Sequence, residues 1–432
     1  MLPLPPPLQY WTKIHSAISK FVWNGKRPRL KLSLLQRARE DGGLSLPNFK
    51  FYYWAFTLRP LLRYFDSTKV CWRELEESLV HPVELRHLLY SNISNNQCKV
   101  RFGPLIAQLV TVWRAVEKLA KVDLKWNLLS PVFNNDGLLI DERPIRFPRW
   151  SSKGIHTLGD LFNENGLRSF QNLCDIFNLP GNSFFFYLQL RTAMRTYGVP
   201  WQTPLTIHPL HTLVCDVRSK GFVSRLYAFL LESNYGTLPV DTVWRNDIPD
   251  LGPDWDWDTV WSNVRLSSRN PDHQQIHLNF VHRTYLTPRR LCAMKILNNP
   301  NCTFCASNSI GTFFHMVWEC PSVLRFWNMV ADKLATLLQV NITPSPSLFI
   351  LNDVSQLQLN GTRSRVFLAG LTAAKKMVAT RWKPPHTLTF RHWALTFLDI
   401  VYLEMSIARL HGAKEENINI WSNIADEIRT MF

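Results

Sequence analysis

The sequence predicts a mostly α-helical protein made of several helical subdomains, with a small metal-stapled unit near the carboxy terminus. Three observations carry this expectation. Apolar residues recur at helical spacing in one segment after another. Strand signals are sparse, and neither an internal repeat nor a low-complexity tract interrupts the pattern. Three cysteines and one histidine fall within nineteen positions of "NCTFCASNSIGTFFHMVWECP", residues 301–321.

The elements follow in order. Residues 11–22 place Trp11, Ile14, Ile18, Phe21 and Val22 on one helical face. "NGKRP" then marks a turn, since Asn24-Gly25 favours one and Pro28 bars a helix interior. Ser33 and Gln36 have the spacing of a capping box for a second helix, which the glycines of "EDGG" would stop. "LPNFKFYYWAFTLRPLLRYF" reads as an aromatic-rich third helix capped by Asn48. Further helices are expected over 66–130, then a loop-rich stretch over 131–154 with Pro131, "NNDG", Pro144 and Pro148. A helical block over about 155–235 has starts near Thr157 and Leu167 and a third helix on "FFFYLQLR". "LPVDTVWRNDIPDLGPDWDWDTVW" forms a second junction, followed by helices over 259–298, the cysteine cluster, a strong helix over 321–339, a loop over 340–361 and two terminal helices.

Composition narrows the function classes. The chain has 432 residues, 46% of them hydrophobic, with seventeen tryptophans, which suits packed cores and excludes a disordered tail. Its formal charge of +16 favours polyanionic partners, nucleic acid first. Residues 1–65 hold eleven Lys/Arg against two acids, so more than half of that charge sits there. "MLPLPPPLQYW" lacks the basic flank and apolar core of a secretory signal, and no run of eighteen apolar residues occurs. The expectation is a protein of the nucleus or cytoplasm, not secreted and with no membrane partner. In that setting the eight cysteines stay reduced, so a cluster reads as metal-binding before it reads as disulfide.

The cluster has the spacing C-x2-C-x9-H-x4-C: Cys302, Cys305, His315 and Cys320. Three thiolates and an imidazole suit zinc, which takes four such ligands in a tetrahedron; with all four positions filled the site is structural, not catalytic. Thr312 is placed to cap a short helix carrying His315. Pro321 disfavours helix at Cys320 and suits the first position of the next helix, so Cys320 should lie at a bend. That next helix should bury Val323, Trp327, Val330, Leu334 and Leu337. Cys71, Cys98, Cys174, Cys215 and Cys292 read as ordinary packing residues.

A second candidate is the basic turn. Lys20, Lys26, Arg27, Arg29, Lys31, Arg37 and Arg39 surround it and Lys50 follows, cations that can track phosphates without reading sequence. Of the aromatics in 49–56, most should pack while some could stack on bases. "HRTYLTPRR" (282–290) adds a smaller basic site with Arg283, Arg289 and Arg290. Asp254, Asp256 and Asp258 read as a solvated turn and helix cap, because a calcium-loop glycine and distal Glu are lacking. No phosphate loop or hydrolase motif occurs, so the catalytic-residue expectation is none.

Two stretches bring a resemblance. "SKFVWNGKRPRLKLSLLQRAREDGGLSLPNFKFYYWAFTLRP" resembles the thumb segment after the polymerase palm in the second open reading frame protein of LINE-type non-LTR retrotransposons. "TYLTPRRLCAMK" with "CTFCASNSIGTFFHMVWECPSVLRFW" resembles the carboxy-terminal cysteine–histidine segment of the same proteins, with the ligand order kept and a spacing that differs from the mammalian form. "GIHTLGDLF", "SFQNLCDIFNLPGNSFFFYLQLR" and "LTAAKKMVATRWKPP" are similar to the family's connecting and terminal regions, so the likeness runs over most of the chain in the right order. The resemblance implies a thumb-like basic segment (1–65), helical connectors (66–153 and 154–236), a Trp/Asp-rich junction with helices (237–300), a zinc segment (301–342) and carboxy-terminal helices (343–432). It implies a parent with an endonuclease and a reverse transcriptase. The family's paired aspartates, pattern "ADD", lie upstream of the thumb, and "MVADKL" (329–334) is no substitute. The chain is thus expected to be no enzyme by itself: a truncated element, or a gene model that begins inside one. Its partners would be RNA, primer–template duplex and the upstream polymerase domain. Two other readings stay open, a free-standing zinc-dependent RNA- or DNA-binding protein derived from such an element, and a protein-interaction scaffold.

Overall fold

Helical periodicity with few strand signals produces what it predicts. In the computed structural model about 60% of the chain is helical, with 23 α-helices among the described residues and only two antiparallel ladders of two residues per strand. The described residues are 5–65, 70–122, 125–216, 220–236, 238–305, 307–359, 361–380 and 388–430; "RWKPP" (381–385), part of one stretch of the resemblance, lies outside them. The chain divides into two units. Unit 1 comprises Met1–Lys26 and Pro47–Gly236, and unit 2 comprises Arg27–Leu46 and Thr237–Phe432.

In unit 1, α1 (Leu8–Val22) half-buries Trp11, Ile14, Ile18 and Val22, which recur every three or four residues. Phe21, expected on the same face, is 88% exposed. The chain leaves α1 through Asn24 and Gly25, both with positive φ. Helix α2 (Phe49–Thr57) starts where Asn48 accepts the Phe51 N–H at 3.2 Å. It buries Phe51 and Ala55 and stacks Tyr52 on Tyr227, ring centroids 3.9 Å apart. Tyr227 belongs to a later helix, Phe222–Asn234. Helix α3 (Pro104–Leu119) opens with Pro104 and completes this first core with Leu109, Val110, Trp113 and Val116. A second core gathers Ile145, Phe147, Trp150, Leu158, Leu161, Leu190 and Met194. Its elements include the hairpin β1 (Leu139–Ile140) and β2 (Arg143–Pro144), and α4 (Phe184–Thr196).

In unit 2, the helices α5 (Trp257–Leu266), α6 (Pro271–Val281), α8 (Pro321–Leu338), α9 (Gly361–Thr380), α10 (Phe390–Leu410) and α11 (Glu415–Thr430) share one core, to which the short α7 (Pro288–Ala293) adds no side chain. Three long helices follow the 340–360 loop where two were expected. Gly412, at φ +64, turns the chain between α10 and α11 in a stretch with no proline to mark the break. Helix α9 is buried at every position from Val366 to Lys375. Gly370 makes this possible, since a Cβ there would lie 2.6 Å from Leu334 Cδ2 of α8. The Trp393 indole donates to the Gly370 carbonyl at 3.1 Å. Lys375 brings a polar nitrogen into this core. It reaches Ile350 O at 2.8 Å, Asn352 Oδ1 at 2.7 Å and His277 Nδ1 at 3.0 Å.

The segment 27–46 belongs to unit 2, so the expected 1–65 body is divided between the units. Leu34 and Leu35 are buried in a single helical turn, Leu32–Leu35. Lys31, not Ser33, precedes that turn, with no side-chain cap. The helix ends before "EDGG" because the chain doubles back: Leu44 N and Leu46 N donate to Leu35 O at 3.0 and 3.1 Å. Two glycines permit this. A Cβ on Gly43 would meet Arg37 O at 2.1 Å, and one on Gly42 would meet the Trp261 ring at 2.6 Å. The Gly42 carbonyl accepts from His282 Nε2 at 2.6 Å, and Trp261 stacks on the His282 ring.

Gly42→Ala should therefore detach this segment. Its φ of +78° strains any side chain, and the indole wall cannot yield. The expected loss is roughly 2–4 kcal/mol, read by denaturant unfolding followed through tryptophan fluorescence. A change below about 0.5 kcal/mol would show that Gly42 does not hold the segment.

Candidate metal centre

The cysteine turn is built first. Asn301 and Ile310 form an antiparallel bridge, and Cys302 N donates to Ser309 O at 2.8 Å. This ladder holds the C-x2-C loop closed, with Phe304 N 3.4 Å from Cys302 Sγ. Gly311 follows, close against Pro288, the first residue of α7: a Cβ there would lie 2.8 Å from the proline ring. Arg289 N donates to Gly311 O at 3.2 Å, so α7 is seated on the loop. Thr312 then caps His315, its hydroxyl accepting the His315 N–H at 3.0 Å as the sequence led one to expect.

The next turn explains the x4 spacing. In an α-helix residues five apart stand about 140° from each other, which would separate His315 from Cys320. His315–Glu319 is instead a π-helical turn, and Cys320 N donates to His315 O at 2.8 Å. The wider turn returns Cys320 to the side of His315. Cys320 then bends at φ −59° and ψ 123°, and Pro321 starts α8, which buries all five expected apolar residues.

The four ligand atoms lie within 4.8 Å of one another. Cys302 Sγ is 4.0 Å from Cys320 Sγ, and Cys305 Sγ is 3.5 Å from His315 Nε2. A tetrahedron with metal–sulfur bonds of about 2.3 Å and metal–nitrogen bonds of about 2.0 Å has edges of about 3.8 and 3.5 Å. The donor set thus fits a metal ion. Cys302, His315 and Cys320 are buried and Cys305 is partly exposed. His315 Nδ1 points to the Glu319 carboxylate, 3.9 Å away, which leaves Nε2 for the metal. Burial pushes the Cys302 thiol up. Burial acts the same way on Cys305, but hydrogen bonds from Ser307, followed by His315, prevail and lower it. Among the described residues this is the one group of three or more Cys, His or carboxylate residues so gathered. The 254–258 aspartates serve the turn: Asp256 accepts from Asp258 N at 2.9 Å and Thr259 N at 3.2 Å and caps α5.

The basic residues separate into two groups. Lys20, Lys26, Arg27, Arg29, Lys31, Arg39, Arg289 and Arg290 are exposed. Arg37 is buried, and Lys50 is half-buried over the Trp54 ring at 4.8 Å. Arg283 pairs with Asp247 at 2.5 Å and lies over Trp244 and Phe313 at 4.6 and 5.0 Å. Packing thus uses Arg37 and Arg283, because their aliphatic stems and planar heads fill apolar gaps. Of the aromatics, Phe51 is core, Tyr52 stacks on Tyr227 yet stays 37% exposed, and Phe49 and Phe56 are exposed as well. No model of a known protein family matches the chain.

One transition-metal ion per chain is expected, lost in Cys302→Ser/Cys305→Ser. Because thiols release protons on ligation, loading should acidify an unbuffered solution, and affinity should fall as pH falls. Cobalt substitution, followed by visible absorption of a tetrahedral thiolate site, measures both. Equal binding by the double variant would exclude the quartet.

Proposed function

We propose that the chain is the non-catalytic, nucleic-acid-holding carboxy-terminal portion of a LINE-type retrotransposon reverse transcriptase, with a structural zinc ion in the Cys302/Cys305/His315/Cys320 site. The observation that carries the reading is the membership of segment 27–46 in unit 2. This fold brings two basic stretches, far apart in sequence, into the unit that holds the cysteine quartet. Burial pushes the Tyr285 phenol up to about 12, opposed by a hydrogen bond with Asn279 and by the positive charge of Arg29. Arg29 therefore lies within electrostatic reach of the segment carrying Arg289 and Arg290. Exposed guanidinium and ammonium groups on one unit can hold a phosphate backbone at several points, which gives affinity with little sequence preference.

Zinc is the ion this donor set selects among common cellular metals, and four protein ligands leave no position for substrate. Its task is mechanical. It closes the loop on which Pro288 and Arg289 sit, and so fixes where the α7 arginines project. The chemistry of nucleotide transfer stays with the upstream palm that the resemblance implies. Binding shared equally by ground and transition states supplies hold, not rate.

Two measurements test the reading. Elemental analysis of protein purified without added metal should give about one zinc per chain; a different metal, or none, removes the zinc assignment. Replacing Lys26, Arg27, Arg29 and Lys31 by Ala should lower the log–log salt slope for duplex binding by about 3–4. An unchanged slope in the folded variant would place the contact elsewhere, and salt-insensitive or absent binding by the wild type would favour the scaffold reading.

A further inference from the structure

Unit 1 carries a row of cations on a rigid edge, away in sequence from the basic turn. From β2 through the short helix Pro148–Ser151 the chain alternates between core and solvent. Ile145, Phe147 and Trp150 are buried. Arg143, Arg146, Arg149 and Lys153, between and after them, are exposed. Other arginines of the same unit are neutralised: Arg73 by Glu77 at 2.8 Å, Arg86 by Glu84 at 2.7 Å, Arg101 by Asp136 at 3.0 Å and Arg225 by Asp216 at 2.9 Å. Among the described residues the row has no such carboxylate within 4.0 Å, although Asp141 and Glu142 lie at the hairpin turn beside its first member. Pro144 and Pro148 fix the backbone between the cations, and the three buried side chains pin it. The backbone of the row therefore loses little conformational freedom on binding a ligand, and the cost that remains is that of ordering the four side chains.

An exposed aromatic pair borders the row. Phe186 of α4 packs on Phe147 with ring centroids 4.7 Å apart, yet stays 38% exposed, and its neighbour Phe185 is 75% exposed. Cations on a restrained backbone with partly exposed rings nearby suit a polyanion that also offers flat apolar groups. Single-stranded nucleic acid has both, whereas in a duplex the base faces are stacked away.

We propose that Arg143, Arg146, Arg149 and Lys153 form a phosphate track for single-stranded nucleic acid, with Phe186 as a base-stacking platform. The inference rests on the nucleic-acid reading above, and places in unit 1 a second contact that the basic turn does not supply. Each bound phosphate releases condensed counterions, so the row should contribute to the salt slope in proportion to the phosphates it neutralises.

The test uses the full metal-loaded chain and a fluorescent mixed-sequence single-stranded RNA, with anisotropy titrations over a range of salt. Changing the four row residues to Ala should lower the log–log slope by about 3, and changing the three arginines to Lys should retain it. Phe186→Ala should weaken binding by roughly tenfold with the slope kept. As the control, Arg73, Arg86, Arg101 and Arg225 all changed to Ala remove the same formal charge and should leave the slope in place. Equal losses in row and control variants would mean that total charge alone acts, and would overturn the track. So would an unchanged slope in a row variant whose circular dichroism is native. So would loss of binding to phosphatidylserine vesicles with RNA binding intact, since a membrane surface would then be the partner. If the variant of Lys26, Arg27, Arg29 and Lys31 lowers the slope and the row variant does not, this inference alone fails. If wild-type protein binds no RNA at any salt, both readings fail together.

Discussion

A lysine side-chain nitrogen in the middle of a fully buried helix is the constraint around which unit 2 is arranged. Three polar atoms meet Lys375 Nζ: Ile350 O, Asn352 Oδ1 and His277 Nδ1. Burial drives its pKa well below the usual lysine range, while matched acceptors and the face of Phe280, 5.5 Å away, favour the charged form. The acceptors are fixed in turn. Asn352 Nδ2 lies 2.9 Å from His277 Nδ1, so that nitrogen accepts and Nε2 carries the proton to Thr372, 2.7 Å away. Asn263 Nδ2 donates to Asn352 O at 2.8 Å. Helices α5, α6 and α9 and the 350–352 turn are thereby held in one register. A missing partner would leave a buried polar group unpaired at about 1–3 kcal/mol.

The cysteine–histidine quartet, placed to hold a metal ion, answers a separate, local difficulty. Residues 294–311 have few apolar side chains in the core, and Met294, Ile296, Leu297 and Ile310 face solvent. Such a loop cannot fix its own shape by burial. Four ligands from the loop, the π turn and the start of α8 can do so, and α8 then carries the result into the core through Val323 and Trp327. The seat of Pro288 on Gly311 extends that fixation to α7.

Sequence spacing made much of this legible. The ligand quartet, the Thr312 cap, the bend at Cys320 before Pro321 and the Asn48 cap all depend on neighbours within a few residues, where local chemistry decides. Three features depend on contacts distant in sequence. Gly42 was readable as a helix stop, but its indole neighbour lies more than two hundred positions away. Arg37 and Arg283 looked like every other surface cation, and tertiary packing alone separates them from Arg39 and Arg289. The cation row at 143–153 was hidden in a stretch whose prolines read as loop, because two-residue strands leave no periodicity to detect. The π turn did leave a signal, since an x4 gap between ligands is out of phase with an α-helix.

Neither unit is continuous in sequence, and this shapes how the chain is made. Segment 27–46 leaves the ribosome early with Leu34 and Leu35, destined for burial, still uncovered. The rest of unit 2 begins about 190 residues later, which at about 5–20 residues per second is a delay of roughly 10–40 s. Unit 1 receives its last residue, Gly236, as that interval ends, and unit 2 must then gather in a segment made before all of it.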